Sequence, residues 1–273
     1  MSEGPDNEIR FPAPQKRVSP SSVAVFYRTV VAFIEREFRT RYGNYLLGYA
    51  WSIVEPLALI ALLVIGRSIF LGRGPVYGET GIVFFGVGVF IYFTFMASVS
   101  GARGSFRKGR SLFVFPQIRP FSVAISGSIV EWLLLVAVFV LFWAIAKWIE
   151  YPFYIYDPLK LIFVMMLTFL IGFTLGLLFE VFGIVFPDLE KVFSMIMRPM
   201  LFISGMFFTI DMLPSALEKW LIWNPVLHLT DLGRDATMVG YDSPASFGFV
   251  VLGILVISAL GLAGYRRYFH YFL

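Results

Sequence analysis

The sequence predicts an all-α integral membrane protein: six transmembrane helices, an N-terminal amphipathic helix at the cytoplasmic interface, and a helix–break–helix outer loop before the last span. Of the 273 residues, 58% are apolar or aromatic and 15% are charged, against ~45–50% and ~25% in soluble domains. Six apolar runs reach the ~20 residues needed to cross a ~30 Å hydrocarbon core as a helix. They lack the ~10-residue alternation of a transmembrane β-barrel.

The predicted spans are 50–71, 81–100, 122–147, 160–182, 191–210 and 246–265. Arg198 and Pro199 interrupt the fifth. We expect no cleavable signal, since residues 1–20 are polar and Pro-rich without an apolar core. Cysteine is absent, so no disulfide framework is expected.

Lys and Arg predict the orientation of the chain. With both termini in the cytoplasm, the inner segments hold fifteen Lys and Arg and the outer segments hold five. The net charge of +4 follows from this asymmetry and gives no reason to expect a nucleic-acid partner.

Residues 1–22 are Pro-rich with scattered charge, which predicts a flexible cytoplasmic tail. Residues 23–46 differ, because their apolar side chains recur at helical spacing and most charges fall on the other side. This pattern predicts an amphipathic helix lying in the membrane interface. A soluble helix packed on a partner domain is the alternative.

The inner loop 101–120, "GARGSFRKGRSLFVFPQIRP", mixes charge with apolar side chains. Arg107, Lys108 and Arg110 alone fit an ordinary positive-inside loop. The cluster of Leu112, Phe113 and Phe115 favours a short helix that docks into a groove of a cytoplasmic partner.

The outer loop 211–245 contains two short amphipathic segments within 213–241. Asn224 and Pro225 divide them, because proline disfavours helix in the preceding residue and favours a new start. Trp220 and Trp223 suit a membrane–water boundary. The element is either a re-entrant lid or a pair of helices resting at the interface, and His228 lies within it.

Motifs of enzymes are missing from this sequence. It contains no G-x-x-x-x-G-K-[ST] phosphate-binding loop, no G-x-S-x-G and no H-E-x-x-H. The two histidines, His228 and His270, are far apart, so no metal site or hydrolytic site is predicted. "GFTLG", residues 172–176, fits the close packing of two membrane helices through small residues.

Five charged residues fall within the predicted spans: Glu55, Arg67, Glu131, Glu180 and Arg198. Each costs about 2.5–3.5 kcal/mol at the centre of a membrane helix. Arg198 either pairs with Glu55 or Glu180 across helices or faces water, and Arg67 can extend its head group toward the interface.

Glu55 and Pro56 are tolerable together if their helix face lines a hydrated passage. Tyr45, Tyr49 and Trp51 precede them. These aromatic rings either form an interfacial belt or stack on sugar rings without selecting one sugar, as aromatic platforms do for nucleic-acid bases.

Three stretches resemble ABC-2 type permeases, in particular those that export bacterial surface polysaccharides. They are "RYGNYLLGYAWSIVEP" (41–56), "MRPMLFISGMFFTIDMLP" (197–214) and "WNPVLHLTDLGRD" (223–235). The Glu55–Pro56 pair is most similar to the capsular polysaccharide branch. Pro187–Asp188 departs from the Arg-Asp that many members carry there. The resemblance covers residues ~25–270.

The resemblance implies a permease subunit without enzyme activity and without a bound cofactor, located in the bacterial inner membrane. It implies a transmembrane domain over 47–270 that pairs with a second copy and with two ATPase subunits, which bind ATP and Mg. It also implies lipid-linked polysaccharide as cargo, with a periplasmic co-polymerase and an outer-membrane exporter as further partners.

The resemblance assigns roles to the elements above. Helix 23–46 becomes the interfacial helix, 101–120 the coupling loop and 213–241 the outer gate helices. We expect the conduit to be lined by Tyr45, Tyr49, Trp51, Glu55 and Arg198. Arg36, Arg39 and Arg41 either contact the anionic head of the cargo or anchor the helix on anionic lipids.

Other functions remain open at this stage. An ABC-2 exporter of O-antigen, teichoic acid or a lipid is the nearest alternative within transport. A membrane glycosyl- or acyl-transferase predicts a clustered acid–base or histidine site, which the sequence lacks. An ion-coupled secondary transporter predicts repeated halves with matching broken helices, and no convincing repeat is visible.

Overall fold

The computed structural model describes residues 22–42, 46–70, 81–115, 118–238 and 240–268. These ranges contain ten α-helices and no strand. The helices are α1 (Ser22–Tyr42), α2 (Leu46–Phe70), α3 (Gly81–Ala102), α4 (Ser105–Gly109), α5 (Pro120–Trp148), α6 (Pro158–Val185), α7 (Leu189–Ile203), α8 (Ser215–Leu221), α9 (Pro225–Asp235) and α10 (Phe247–Tyr268). The predicted tail 1–22 lies outside the described residues, except for its last position.

Five of the described helices are long and apolar enough to cross a membrane: α2, α3, α5, α6 and α10. They match five of the six predicted spans. The remaining span, 191–210, contains the 15-residue helix α7, which rises only about 22 Å. Turns follow it, and Gly205 adopts a left-handed φ of 77°, a conformation that glycine reaches without strain. The span 191–210 therefore stays a prediction.

Helix α3 forms the centre of the bundle. Most of its residues are buried, and it packs on α2, α5, α6 and α9. Glycines on α6 permit close approach, since a Cβ at Gly172 would lie 2.6 Å from the carbonyl oxygen of Phe95, and one at Gly176 would lie 2.5 Å from that of Val99. The small-residue packing predicted from "GFTLG" is thus present between α6 and α3.

Helix α1 lies against the first turns of α5. Val30 and Phe33 are buried, and the ring of Phe26 stacks on Phe121 with centroids 6.3 Å apart. The hydroxyl of Ser126 donates to the carbonyl of Val30 at 3.2 Å. The apolar side of the predicted amphipathic helix therefore covers part of the bundle.

The bundle has two ends, which position the candidate sites. At the α4 end, α3 and α6 finish, α5 and α7 begin, and α4 packs against α5. At the α9 end, α3, α6 and α10 begin, α7 finishes, and α9 packs against α3 and α6.

Candidate functional site

The predicted coupling loop folds as a short helix followed by a 3-10 turn. Helix α4 is anchored by Phe106, which is buried and contacts the ring of Tyr265 at 6.1 Å between centroids. Arg107, Lys108 and Arg110 are exposed, as is Phe115, whereas Leu112 and Phe113 are half-buried. The loop thus presents a surface of charged and apolar side chains beyond the bundle, as a docking element would.

Glu180 holds this element in place. It is a buried carboxylate on α6, and its two oxygens accept the backbone N–H groups of Gly104 and, at 2.8 Å, of Phe106. Gly104 has a φ of 75°, which lets the chain turn sharply between α3 and α4. A carboxylate is stabilising beside unpaired N–H groups at a helix start, so a charge at the end of a membrane helix has a structural partner.

A cleft opens beside α4, with the 103–110 segment on one side and the end of α6 and the start of α7 on the other, and we call it the α4–α7 cleft. Its first compartment has a volume of about 390 Å³, and a second has about 460 Å³. Arg103 and Glu190 line both compartments. Glu190 forms an ion pair with Arg107, and the guanidinium of Arg103 lies 4.1 Å from the ring centroid of Phe193.

The predicted conduit residues that the structure describes lie on two helices. Trp51 is 68% exposed and Glu55 is exposed on α2, while Arg198 is exposed on α7. Neither charge forms an ion pair with a described residue, so the pairing of Arg198 with Glu55 or Glu180 is not found. Tyr45 lies outside the described residues, as does the side chain of Tyr49.

The arginines of α1 are partly engaged within the helix. Arg39 forms an exposed ion pair with Glu35 at 2.6 Å, which contributes little to stability. The guanidinium of Arg36 lies 5.7 Å from the ring centroid of Phe33. The side chain of Arg41 lies outside the described residues.

The predicted outer element has its break at Asn224 and Pro225. Asn224 caps α9, because its side-chain oxygen accepts the N–H of Val226 at 3.0 Å, and its amide donates to the carbonyl of Ile203 at 2.7 Å. His228 is buried, with Nδ1 accepting from the N–H of Ser246 and Nε2 donating to the carbonyl of Ile222. Trp220 and Trp223 are 80% and 71% exposed.

Helix α9 is anchored by Arg234, whose side chain is fully buried. The guanidinium donates to the carbonyls of Phe84 at 3.3 Å, Phe208 at 2.7 Å and Met206 at 2.9 Å. It also lies 3.7 Å from the ring centroid of Phe84. The lack of a side chain at Gly88 makes room for it, since a Cβ there would lie 2.9 Å from Nη2. Arg234 therefore ties α9 to α3 and to the turns after α7.

Asp231 is the second polar anchor of α9, and its side chain is fully buried. It accepts hydrogen bonds from the hydroxyls of Tyr241 at 2.7 Å and Ser243 at 2.6 Å, and from the N–H of Ile210. Burial and the neighbouring Asp231 carboxylate raise the pKa of Tyr241 above its ordinary value, because both disfavour the phenolate. Tyr241 therefore stays a neutral donor.

A metal centre is not found in the part of the chain that the structure describes. No group of three or more His, Asp or Glu side chains there could hold a metal ion. The polar groups that are brought together instead hold the two ends of the bundle in shape.

Comparison with known proteins decides the family. Residues 28–238 match the ABC-2 type transporter family. The chain belongs to the ABC-2 type transporter family. It is 32% identical over 239 residues to the polysialic acid transport protein KpsM of Escherichia coli, covering 87% of this chain and 92% of that protein.

Two further relatives extend over similar lengths. The capsule polysaccharide export inner-membrane protein BexB of Haemophilus influenzae is 25% identical over 264 residues, or 93% of this chain and 96% of that protein. The corresponding protein CtrC of Neisseria meningitidis serogroup B is 28% identical over 254 residues, or 89% and 91%. The resemblance to ABC-2 type permeases predicted from the sequence is confirmed.

Sequence reasoning missed three residues that organise this ABC-2 transporter subunit. Arg234 had been assigned only to an outer loop, Asp231 had been given no role, and Glu180 had been considered only as a partner of Arg198. The spacing of Asp231 and Arg234 on one side of α9 is visible in the sequence. The groups that they contact cannot be read from the sequence, because these partners lie 10 to 150 residues away along the chain.

Proposed function

We propose that this chain is the transmembrane subunit of an ATP-driven exporter that moves lipid-linked capsular polysaccharide across the bacterial inner membrane. The observation that carries the proposal is the similarity to capsule export proteins along about nine-tenths of the chain. ATP hydrolysis belongs to a separate subunit, since this sequence lacks a phosphate-binding loop.

The α4 element fits the place where such an ATPase would act. Glu180 fixes α4 to the end of α6, so a displacement of the loop would be transmitted to a membrane-spanning helix. The exposed side chains of Arg107, Lys108, Arg110 and Phe115 offer charge and apolar surface to a partner. We place this end of the bundle, and both termini, in the cytoplasm, in accord with the distribution of Lys and Arg.

The conduit would form between two copies of the chain. Only about a tenth of the apolar stretch of α2 is buried within one copy, and α2 carries the exposed Glu55. Arg198 is exposed on α7. Exposed charges at membrane depth are unfavourable against lipid, so a second copy enclosing a hydrated passage would relieve both.

The outer element would close that passage. Helix α9 is held rigidly by Arg234 and Asp231, whereas α8 has no buried residue. Trp220 and Trp223 lie at the exposed side of this pair. We therefore assign opening and closing to α8 and its tryptophans, with α9 as the fixed base.

Export can be tested in a capsule-deficient strain that lacks its own permease. The chain is expressed with the ATPase encoded beside it, and surface polymer is measured with capsule-specific antibody. We expect surface polymer from the wild type and at least a severalfold loss from Glu55→Gln and from Arg198→Gln. Glu150→Gln, an exposed charge after α5, is the matched control and should export normally.

The outcomes separate the alternatives. Rescue of O-antigen or teichoic acid export, without rescue of capsule, would replace the proposed cargo. Normal export by both charge variants would be compatible with the proposed transport function but would reject Glu55 and Arg198 as residues of the conduit. ATP hydrolysis by the isolated chain at the rate of the complex would contradict the division into permease and ATPase.

A further inference from the structure

The α4–α7 cleft carries an unbalanced positive charge. Its walls present five cationic side chains: Arg103, Arg107, Arg110, Lys191 and Arg198. Two are neutralised, because Arg107 pairs with Glu190 and Lys191 pairs with Asp188 at 3.0 Å. Arg103, Arg110 and Arg198 form no ion pair with any residue that the structure describes.

The acidic residues of the cleft offset its positive charge only in part. Glu180 and Glu190 are the carboxylates among the lining residues. Both oxygens of Glu180 accept backbone N–H groups of the α4 turn, and Glu190 is engaged by Arg107. The lining of the cleft, with five cationic side chains against two carboxylates, therefore keeps a net positive charge, as an anion-binding site requires.

One wall of the cleft continues along α7. Lys191, Ser194, Met195 and Arg198 lie on one face of α7, at the i, i+3, i+4, i+7 spacing of a helical stripe. Arg198 is nine residues beyond Leu189, which places it about 14 Å further along the helix. The cleft therefore runs from the end of the bundle along the length of α7, within the predicted span 191–210.

Apolar surface accompanies this stripe. Met195 is 77% exposed and lines the cleft, and Val192 and Ile196 beside it are also exposed. A soluble anion gains nothing from such a flank, whereas a lipid places its headgroup among the cations and its chains along the apolar surface. Basic pockets between membrane helices on the cytoplasmic side bind anionic headgroups in this manner.

We propose that the α4–α7 cleft binds the phosphate of a membrane lipid headgroup through Arg103 and Arg198, with Arg110 at its outer rim. A guanidinium offers two parallel N–H donors to phosphate oxygens. Arg103 is already oriented by the ring of Phe193. That this lipid is the anchor of the exported glycan rests on the proposed function, whereas binding of the lipid phosphate does not.

The test uses the full-length chain purified in detergent and titrated with dioleoylphosphatidylglycerol, with dioleoylphosphatidylcholine as a second probe. Native mass spectrometry counts bound lipids. The variants are Arg103→Gln/Arg198→Gln, the charge-retaining Arg103→Lys/Arg198→Lys, and Arg266→Gln/Arg267→Gln. The last pair removes two exposed arginines at the end of α10, on the same end of the bundle, and is the matched control.

We expect the glutamine pair in the cleft to bind phosphatidylglycerol about tenfold more weakly, as loss of a charge-assisted hydrogen bond predicts. The lysine pair should recover part of the affinity, and the control pair should bind like the wild type. Equal weakening in the cleft and control variants would show a general surface attraction and overturn the proposal.

Further arms distinguish other ligands of the cleft. If millimolar inorganic phosphate displaces the lipid completely, the site is one for a soluble anion and the lipid assignment is wrong. If the glutamine pair loses co-purification with the ATPase but binds phosphatidylglycerol normally, the cleft is a protein-docking surface. Should that pair fail to fold, a photoreactive phosphatidylglycerol is cross-linked to the wild type. Cross-links at 103–110 and 191–198 support the proposal, and cross-links confined elsewhere overturn it.

The surface-polymer assay keeps this proposal separate from the proposed function. Normal lipid binding by the wild type, with no export of any capsule, would leave the cleft intact as a lipid site and reject the cargo. Normal export by a glutamine pair that has lost lipid binding would show that the bound lipid is not the anchor.

Discussion

Arg234 offers the most direct test of how the α9 end is held. Arg234→Met keeps an unbranched apolar stem but removes the donors that reach three backbone carbonyls. The carbonyls of Met206 and Phe208 lie in the non-helical turns after α7, so they lose a donor that no helix replaces. Each buried acceptor left unsatisfied costs about 1–3 kcal/mol.

Two further terms enter the estimate. The contact of the guanidinium with the Phe84 ring is worth about 2 kcal/mol when desolvated. Replacing the guanidinium also removes the cost of burying a charge, and this gain offsets part of the lost stability. We therefore expect Arg234→Met to lower the free energy of unfolding by about 3 kcal/mol, with the loss centred on the α7–α9 region.

The assay combines denaturant unfolding of the detergent-purified protein with hydrogen exchange of its peptides. Exchange should accelerate in residues 204–235 and stay unchanged in α1 and α5, which provide none of the three carbonyl acceptors. Arg266→Met, at an exposed position, is the control and should unfold like the wild type. Wild-type stability of Arg234→Met, or faster exchange spread evenly over the bundle, would refute the anchoring role.

Three further predictions concern other parts of the bundle. Gly176→Ala should destabilise the protein by about 1–3 kcal/mol through overpacking against α3. Gly183→Ala on the same helix should leave stability unchanged, because its new Cβ meets no atom within 4 Å. Equal stabilities of the two variants in denaturant unfolding would contradict this prediction. Glu180→Gln should weaken the hydrogen bonds that attach α4 to α6 by about 1 kcal/mol. It should also lower the ATPase rate of the reconstituted complex. An unchanged rate would reject the role of Glu180 in coupling. Because the pKa of Tyr241 is raised in the folded protein, its contribution to stability is complete below about pH 10 and is lost as the pH rises further. Above pH 10 the unfolding free energy of the wild type should therefore fall more steeply with pH than that of Tyr241→Phe, by up to about 1.4 kcal/mol per pH unit; parallel profiles would show that Tyr241 titrates normally.

The sequence predicted the elements whose causes are local. Long apolar runs require helices that satisfy their own backbone hydrogen bonds, so five spans are found where the composition places them. The short helix in the 101–120 loop and the break at Asn224 and Pro225 also follow from nearby residues. "GFTLG" correctly indicated where two helices approach most closely.

Charged residues within apolar stretches were harder to place. Sequence alone shows that Glu180 and Arg198 need partners or water, since each charge is unfavourable in lipid. It does not show which groups are near. Glu180 turned out to hold the α4 turn, and Arg198 lies open on α7 without an ion pair to a described residue.

The sequence by itself thus determined the class of the protein, most of its helices and, through three motifs, its family. Tertiary structure alone decided which polar side chains are consumed as anchors and which remain available on a surface. The physical reason is that a buried charge is satisfied by whatever donors or acceptors the packed helices bring within about 3 Å, and for Glu180 and Arg234 those groups are backbone atoms, which carry no signature in the sequence.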